Sequence, residues 1–141
     1  LVASAAGLAL GSGEVILWGS GAPRREFLHC DDLGRALVFL SALDDAVFDG
    51  LVNPRVCPLI NIGAGADLTI RELAELVAEV VGFRGRLAYD PSKPDGTPRK
   101  LLDVGRMRAL GWAPRVALRD GIADAYADFL ARSARHGSTD V

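Results

Sequence analysis

Apolar positions along the chain follow two rhythms. Val15-Ile-Leu-Trp18 and Pro58-Leu-Ile-Asn-Ile62 are short, nearly unbroken apolar runs, which predict buried strands. Arg86-Leu-Ala-Tyr89 reads as a third short strand, and Arg25-Glu-Phe-Leu-His29 is β-capable. Elsewhere the spacing is helical. Leu33, Leu37 and Leu40 follow Asp31 and Asp32, which stand where an N-cap belongs, and predict an amphipathic helix over 32–43. Thr69 and Glu72 form a capping box, Ile70, Leu73, Ala74, Val77, Val80 and Val81 mark one helical face, and Gly82 is placed to end it. Leu118, Ile122, Tyr126, Phe129 and Leu130 predict a final helix over 118–133. A first helix is expected over 1–10, ending at Gly11 or Gly13, and Asp103 can cap a short helix that stops at Gly111. Residues 44–57 read as a connecting loop, 90–100 as an irregular loop, and the tail from Arg135 as frayed.

The β-α-β-α alternation predicts an α/β fold. Pro58–Ile62 reads as buried on both faces, which suits a central parallel strand. The other strands do not supply two neighbours for it, so part of the sheet is expected upstream, outside this chain. The initial Leu fits a piece of a longer protein.

Composition narrows the function classes. With 141 residues, 50% hydrophobic and 24% charged, the chain is no disordered segment. A net charge of −2 excludes bulk nucleic-acid binding. The apolar opening, residues 1–10, is shorter than the roughly 18 residues of a membrane helix and lacks a basic leader, so no membrane partner is expected. Cys30 and Cys57 lack C-x-x-C spacing, suggest neither a metal site nor a disulfide scaffold, and fit a reduced, cytoplasmic setting.

Four stretches could carry chemistry. In Trp18-Gly-Ser-Gly-Ala-Pro-Arg-Arg-Glu-Phe-Leu-His29, glycines permit a sharp turn, an arginine can hold a phosphate bidentately, and Trp18 can cover a ring. The same stretch also reads as a surface hairpin with a core tryptophan and solvated arginines. Arg84 to Lys100 holds five basic residues against two acidic ones in a proline-stiffened loop that could cradle a diphosphate, or be merely solvated. Tyr89-Asp-Pro-Ser-Lys93 has dehydrogenase-like Tyr-x-x-x-Lys spacing, but Pro91 argues against the helix that this chemistry needs. Gly63-Ala-Gly65 lacks the third glycine of a dinucleotide fingerprint and reads as a tight turn. His29, beside Asp31 and Asp32, reads as a structural histidine before an acid or base.

Residues 15–33, Ile60-Asn-Ile-Gly-Ala-Gly65, Thr69-Ile-Arg-Glu-Leu-Ala74, Lys93-Pro-Asp-Gly-Thr-Pro-Arg-Lys-Leu-Leu-Asp103 and Gly111-Trp112 together resemble the C-terminal part of the GDP-L-fucose synthases, a family of extended short-chain dehydrogenases/reductases. The resemblance implies a substrate-binding lobe with the last elements of a Rossmann sheet over 15–133, after a poorly matched 1–14 and before a frayed 134–141. It implies that Trp18, Arg25 and Arg86, with Asp95 and Lys100, bind a GDP-sugar. NADP(H) and the catalytic residues are implied to belong to the missing N-terminal part. No catalytic, cofactor-binding or metal residue is therefore expected in this chain, and alone it would be inactive; the full-length family is implied to be homodimeric. A non-catalytic nucleotide-sugar module and another nucleotide-sugar epimerase remain as alternatives.

Overall fold

In a computed structural model, residues 13–53, 55 and 57–136 are described. The expected helix over 1–10 lies outside them. The elements are β1 Glu14–Trp18, β2 Arg24–Glu26, α1 Cys30–Ser41, α2 Asp45–Val52, β3 Asp67–Thr69, α3 Ile70–Val81, β4 Arg86–Asp90, β5 Arg99–Lys100, α4 Gly105–Ala109 and α5 Leu118–His136. The chain divides into two compact units. One is Leu1–Arg25 with Leu68–Arg99 and Ala117–Val141; the other is Glu26–Asp67 with Lys100–Val116. Short β2, β3 and β5, in the order β3-β2-β5, lie where the chain passes from one unit to the other.

The first unit is built on β1 and β4, which pair in parallel with Glu14 opposite Arg86 and Trp18 opposite Asp90. Strand side chains alternate between faces. Val15 and Leu17 point inward to Leu73, Ala74, Val77 and Val81 of α3, to Phe83 and to Ile122 of α5. Ile16 is 60% exposed and Trp18 74%, so the apolar run is buried on one face only. Helix α3 matches its sequence signals. Thr69 accepts from Glu72 N at 3.0 Å, Glu72 Oε2 accepts from Thr69 N at 2.7 Å, and Gly82 closes the helix at φ 70°. Arg119 of α5 forks onto Glu79 of α3, with both terminal nitrogens donating at 2.9 and 2.7 Å. Thr69→Ala removes an N-cap and should lower stability by about 1 kcal/mol in urea unfolding; an unchanged midpoint would rule out that role.

The second unit differs more from expectation. Helix α1 begins at Cys30, two residues before the expected start, because His29 is the N-cap and its Nδ1 accepts from Asp31 N at 3.3 Å. Its inner side carries Asp32 and Ala36, while Leu33 and Leu37 are 42% and 56% exposed. The leucine stripe is thus not the buried face. Ala36 packs with Met107 and Trp112, joined by Leu28, Phe39, Leu40, Ile60, Ile62 and Leu110.

Residues 44–57 are not all loop. Helix α2 forms over Asp45–Val52, with Val47 N and Phe48 N donating to Asp44 O, and Val47, Phe48, Leu51 and Val52 recurring at helical spacing. Asp49 and Gly50 hid it. The expected strand Pro58–Ile62 belongs to no sheet, and Leu59 is 70% exposed. Two of the carbonyls there are taken by a side chain instead: Arg106 Nη1 donates to Cys57 O at 2.8 Å and to Leu59 O, while its Nη2 donates to Leu51 O at 2.9 Å. The N-cap of α4 is Val104, not Asp103, and the helix ends at Ala109, before the expected Gly111; Asp103, just outside the helix, accepts from Gly105 N at 2.9 Å. The last helix runs to His136, past the expected frayed point at Arg135. Among the described residues, no helix is long and apolar enough to cross a membrane.

Candidate binding site

The outward face of the β1–β4 pair is the uncommon feature of the first unit. Parallel strands are usually covered on both faces, yet this face shows Ile16 and Trp18 to solvent. Register places Arg86 on the same face, opposite Glu14, with which it forms an ion pair. Four residues of β4 separate it from the Trp18 level, about 13 Å at roughly 3.3 Å per residue. In parallel α/β sheets, ligands bind beyond the carboxyl ends of the strands. Trp18 stands at that end.

Two loops meet there. Gly19 N donates to Asp90 O at 2.9 Å, tying the end of β1 to the end of β4. Gly19 has φ 82°, and a Cβ on it would lie 2.2 Å from Asp95 Oδ1, so both conformation and space require glycine. Asp95 accepts from Ser20 N at 2.8 Å and from Ser20 Oγ at 2.6 Å. The Ser20 hydroxyl accepts from Ala22 N at 3.1 Å, and Arg71 Nη2 donates to Ser20 O at 2.9 Å. Asp95 thereby holds the turn between Trp18 and Arg25.

Arg25 bridges the same loops. Its Nη1 donates to Arg24 O at 2.6 Å and to Thr97 O at 2.7 Å. A guanidinium has five donors, so those on Nη2 and Nε can face an anion while Nη1 fixes the side chain. Lys93 Nζ lies 5.6 Å from the centre of the Trp18 ring, within cation–π range. The structure thus gathers Trp18, Arg25 and Asp95 at one end of the pair and sets Arg86 at the other end of the same face. Lys100, exposed at the end of β5, falls in the second unit.

The Ser20 hydrogen bonds hold the Asp95 carboxyl below its ordinary range. A group whose folded pKa is depressed stabilises above its unfolded pKa and loses that contribution as pH falls through the folded value. The Trp18–Arg25 turn should therefore be unaffected across neutral pH and loosen only in acid, below the usual carboxylate range. Trp18 fluorescence should report this, and Asp95→Asn should bring the loosened signal to pH 7. A signal flat to pH 2 in the native chain would exclude it.

Three candidates resolve as structural. Tyr89 ends β4 and Lys93 lies in the turn beyond, not on a helix with it. Burial raises the Tyr89 pKa, although Arg71, 3.8 Å over the ring, opposes this; that is the wrong direction for proton transfer. Gly63-Ala-Gly65 is closed to a phosphate because Glu26 fills the turn. Its carboxylate accepts from Gly65 N at 2.5 Å and from Leu102 N at 3.0 Å, and a Cβ on Gly63 would meet it at 2.6 Å. His29 caps α1. Its ligand atoms and those of Cys30 and Asp31 lie within 4.8 Å of one another, a cluster that the sequence spacing did not suggest.

Asp32 was missed as a key residue. It is 1% exposed and accepts from Arg115 N and Val116 N, both at 2.9 Å, and from Arg35 Nη2 at 2.7 Å. Burial pushes its pKa up, but the two backbone N–H groups and Arg35 outweigh that and hold it below its ordinary value.

Comparison with known proteins bears on this geometry. A family model described as the NAD dependent epimerase/dehydratase family matches residues 2–53. GDP-L-fucose synthase 1 of Arabidopsis thaliana is 55% identical over 116 residues, covering 82% of this chain and 33% of the relative. The chain belongs to the NAD dependent epimerase/dehydratase family. Among solved structures of related enzymes, a GDP-6-OMe-4-keto-L-xylo-heptose reductase from C. jejuni superposes with a TM-score of 0.77 at 35% identity, over 89% of this chain and 36% of that one. MlghC, a GDP-mannoheptose C4 reductase from Campylobacter jejuni with NADP bound, gives 0.68 at 34% identity, over 86% and 36%. This epimerase-family chain spans about a third of the length of the relatives it matches. Its mixed α/β architecture is that of part of an extended short-chain dehydrogenase.

Proposed function

We propose that this chain forms the GDP-sugar-binding part of an NADP-dependent GDP-L-fucose synthase, which epimerises carbons 3 and 5 of GDP-4-keto-6-deoxy-D-mannose and reduces its 4-keto group. The observation that carries this reading is the open β1–β4 face, with Arg25 fixed at one end and Arg86 on the same side at the other. A nucleotide sugar is long and anionic, and a ligand laid along β4 would meet both arginines. Trp18 would stack on a ring, Arg25 would meet the diphosphate through its remaining donors, and Asp95 would hold the turn that carries them. Lys100 is retained as a further candidate by the resemblance alone. Binding energy gathered on these residues positions a keto sugar for chemistry at its reacting end.

Bound NADP(H) supplies the hydride in such enzymes. The described residues do not fit it: the one strand-like glycine turn that precedes a helix is filled by Glu26. No step is therefore assigned to the cofactor here.

Calorimetric titration of the whole 141-residue chain with GDP, then with UDP, tests the proposal. GDP should bind, UDP should compete poorly, and Trp18→Ala should weaken GDP by about tenfold, the worth of one stacked ring. Equal binding of both nucleotides would favour a different nucleotide-sugar enzyme. Binding of neither would end the reading.

A further inference from the structure

The second unit holds a cavity of about 870 Å³ that none of the foregoing uses. It lies between α1 and residues 111–115, and its lining includes Arg35, Val38, Phe39, Trp112, Pro114 and Arg115. That volume is in the range of small-molecule sites. Its walls are apolar and partly aromatic, with two arginines among them.

The wall at 111–115 is held in place before any ligand arrives. Asp32 fixes Arg115 N and Val116 N from within α1, Trp112 is buried against Ala36 and Met107, and Gly111 turns the chain at φ 88°. Such preorganisation lowers the ordering cost of binding. The charges are unevenly engaged. Arg35 gives Nη2 to Asp32, while its Nε is buried without a hydrogen-bond partner. Arg115 uses its backbone N–H for Asp32, and among the described residues no ion pair engages its guanidinium. Asp31, the acidic residue of the lining, lies 3.9 Å from His29 Nδ1 and 3.8 Å from Cys30 Sγ.

We propose that this cavity is a second binding site, for a small organic anion with a flat apolar body, such as an aromatic carboxylate or sulfonate. The ring packs on Val38, Phe39 and Pro114, and the anionic group meets Arg115, with the Arg35 charge beside it. Nothing in this assignment depends on the nucleotide-sugar reading, because the cavity is lined wholly by the second unit.

The test uses the 141-residue chain carrying Trp18→Phe, so that Trp112 is the sole tryptophan. Anilinonaphthalene sulfonate is the probe, read by energy transfer from Trp112 to the dye. Saturable transfer is expected at one dye per chain. Arg115→Ala should weaken it about tenfold, the loss of one charge-assisted contact. Val38→Glu, at a position 69% exposed and therefore harmless to folding, should abolish it. Phenylnaphthylamine, the uncharged analogue, should bind about tenfold more weakly. No saturable transfer, or transfer indifferent to both substitutions, would overturn the site. Equal affinity for the charged and uncharged dyes would overturn the assignment to anions.

Discussion

Asp32→Ala is expected to lower the stability of the folded chain by about 3 kcal/mol or more, the largest effect of any single substitution considered. The carboxylate joins the first turn of α1 to a segment more than eighty residues later through two backbone hydrogen bonds, and it also holds Arg35. Alanine leaves two backbone N–H groups and a guanidinium without their acceptor, and opens space beside Ala36. Asparagine offers one acceptor but turns an amide N–H₂ against the second backbone donor, so Asp32→Asn should cost about half as much. Arg35→Ala should cost less again, since the Arg35 side chain is 40% exposed. Urea unfolding of the three variants gives the order directly. An Asp32→Ala loss under about 1 kcal/mol would show that water replaces the carboxylate without penalty. Because the Asp32 pKa is depressed, its contribution is full above the ordinary carboxylate range, is lost progressively as pH falls from that range toward the folded value, and is gone below it.

Arg25→Ala should cut affinity for GDP at least thirtyfold, equivalent to about 2 kcal/mol, which is the scale of a charge-assisted hydrogen-bonded anion contact. The side chain enters the site already fixed by Arg24 O and Thr97 O, so a phosphate would meet donors that need not be ordered. Arg25→Lys keeps the charge but loses the fork, and should recover only part of the affinity. Arg86→Ala should weaken GDP by a smaller factor, because Arg86 is 76% exposed and shares its charge with Glu14. Calorimetry on the four proteins, with thermal unfolding as a control, separates lost contact from lost fold. Should Arg86→Ala cost more than Arg25→Ala, the diphosphate lies at the opposite end of β4.

Signals carried within one or two turns of chain were readable. Helix α3 shows its cap, its face and its terminator in the consecutive run from Thr69 to Gly82, and the structure agrees at each. Long-range partners were not readable. Nothing near Asp32 in sequence announces that residues 115 and 116 will come to it, so it passed for one of a pair of N-cap acids. The apolar run Pro58–Ile62 looks like a strand by composition, but a strand needs a neighbour; here Arg106 donates to Leu59 O and the Asn61 amide donates to Asp103 O instead. Val15–Trp18 was read as a buried strand, yet half of it faces solvent, a difference that composition cannot express. Around the proposed binding site, Trp18 and one of Arg24 and Arg25 stood out for chemistry, Ser20 and Arg71 for nothing. Their part is to brace a turn, and that depends on contacts 75 and 51 residues away.

The interleaving of the two units constrains how the chain can fold during synthesis. The first unit's core needs Val15 and Leu17 from the start of the described chain, Leu73 to Val81 from its middle, and Ile122 from near its end. The whole second unit emerges before Ile122 does. At roughly 5–20 residues per second, a ribosome would hold β1 without its full core for several seconds. During that interval the inner face of β1, with Val15 and Leu17, is incompletely covered and is offered to any chain nearby. A chain truncated after Val116 should remain in that condition and be the form that chaperones retain.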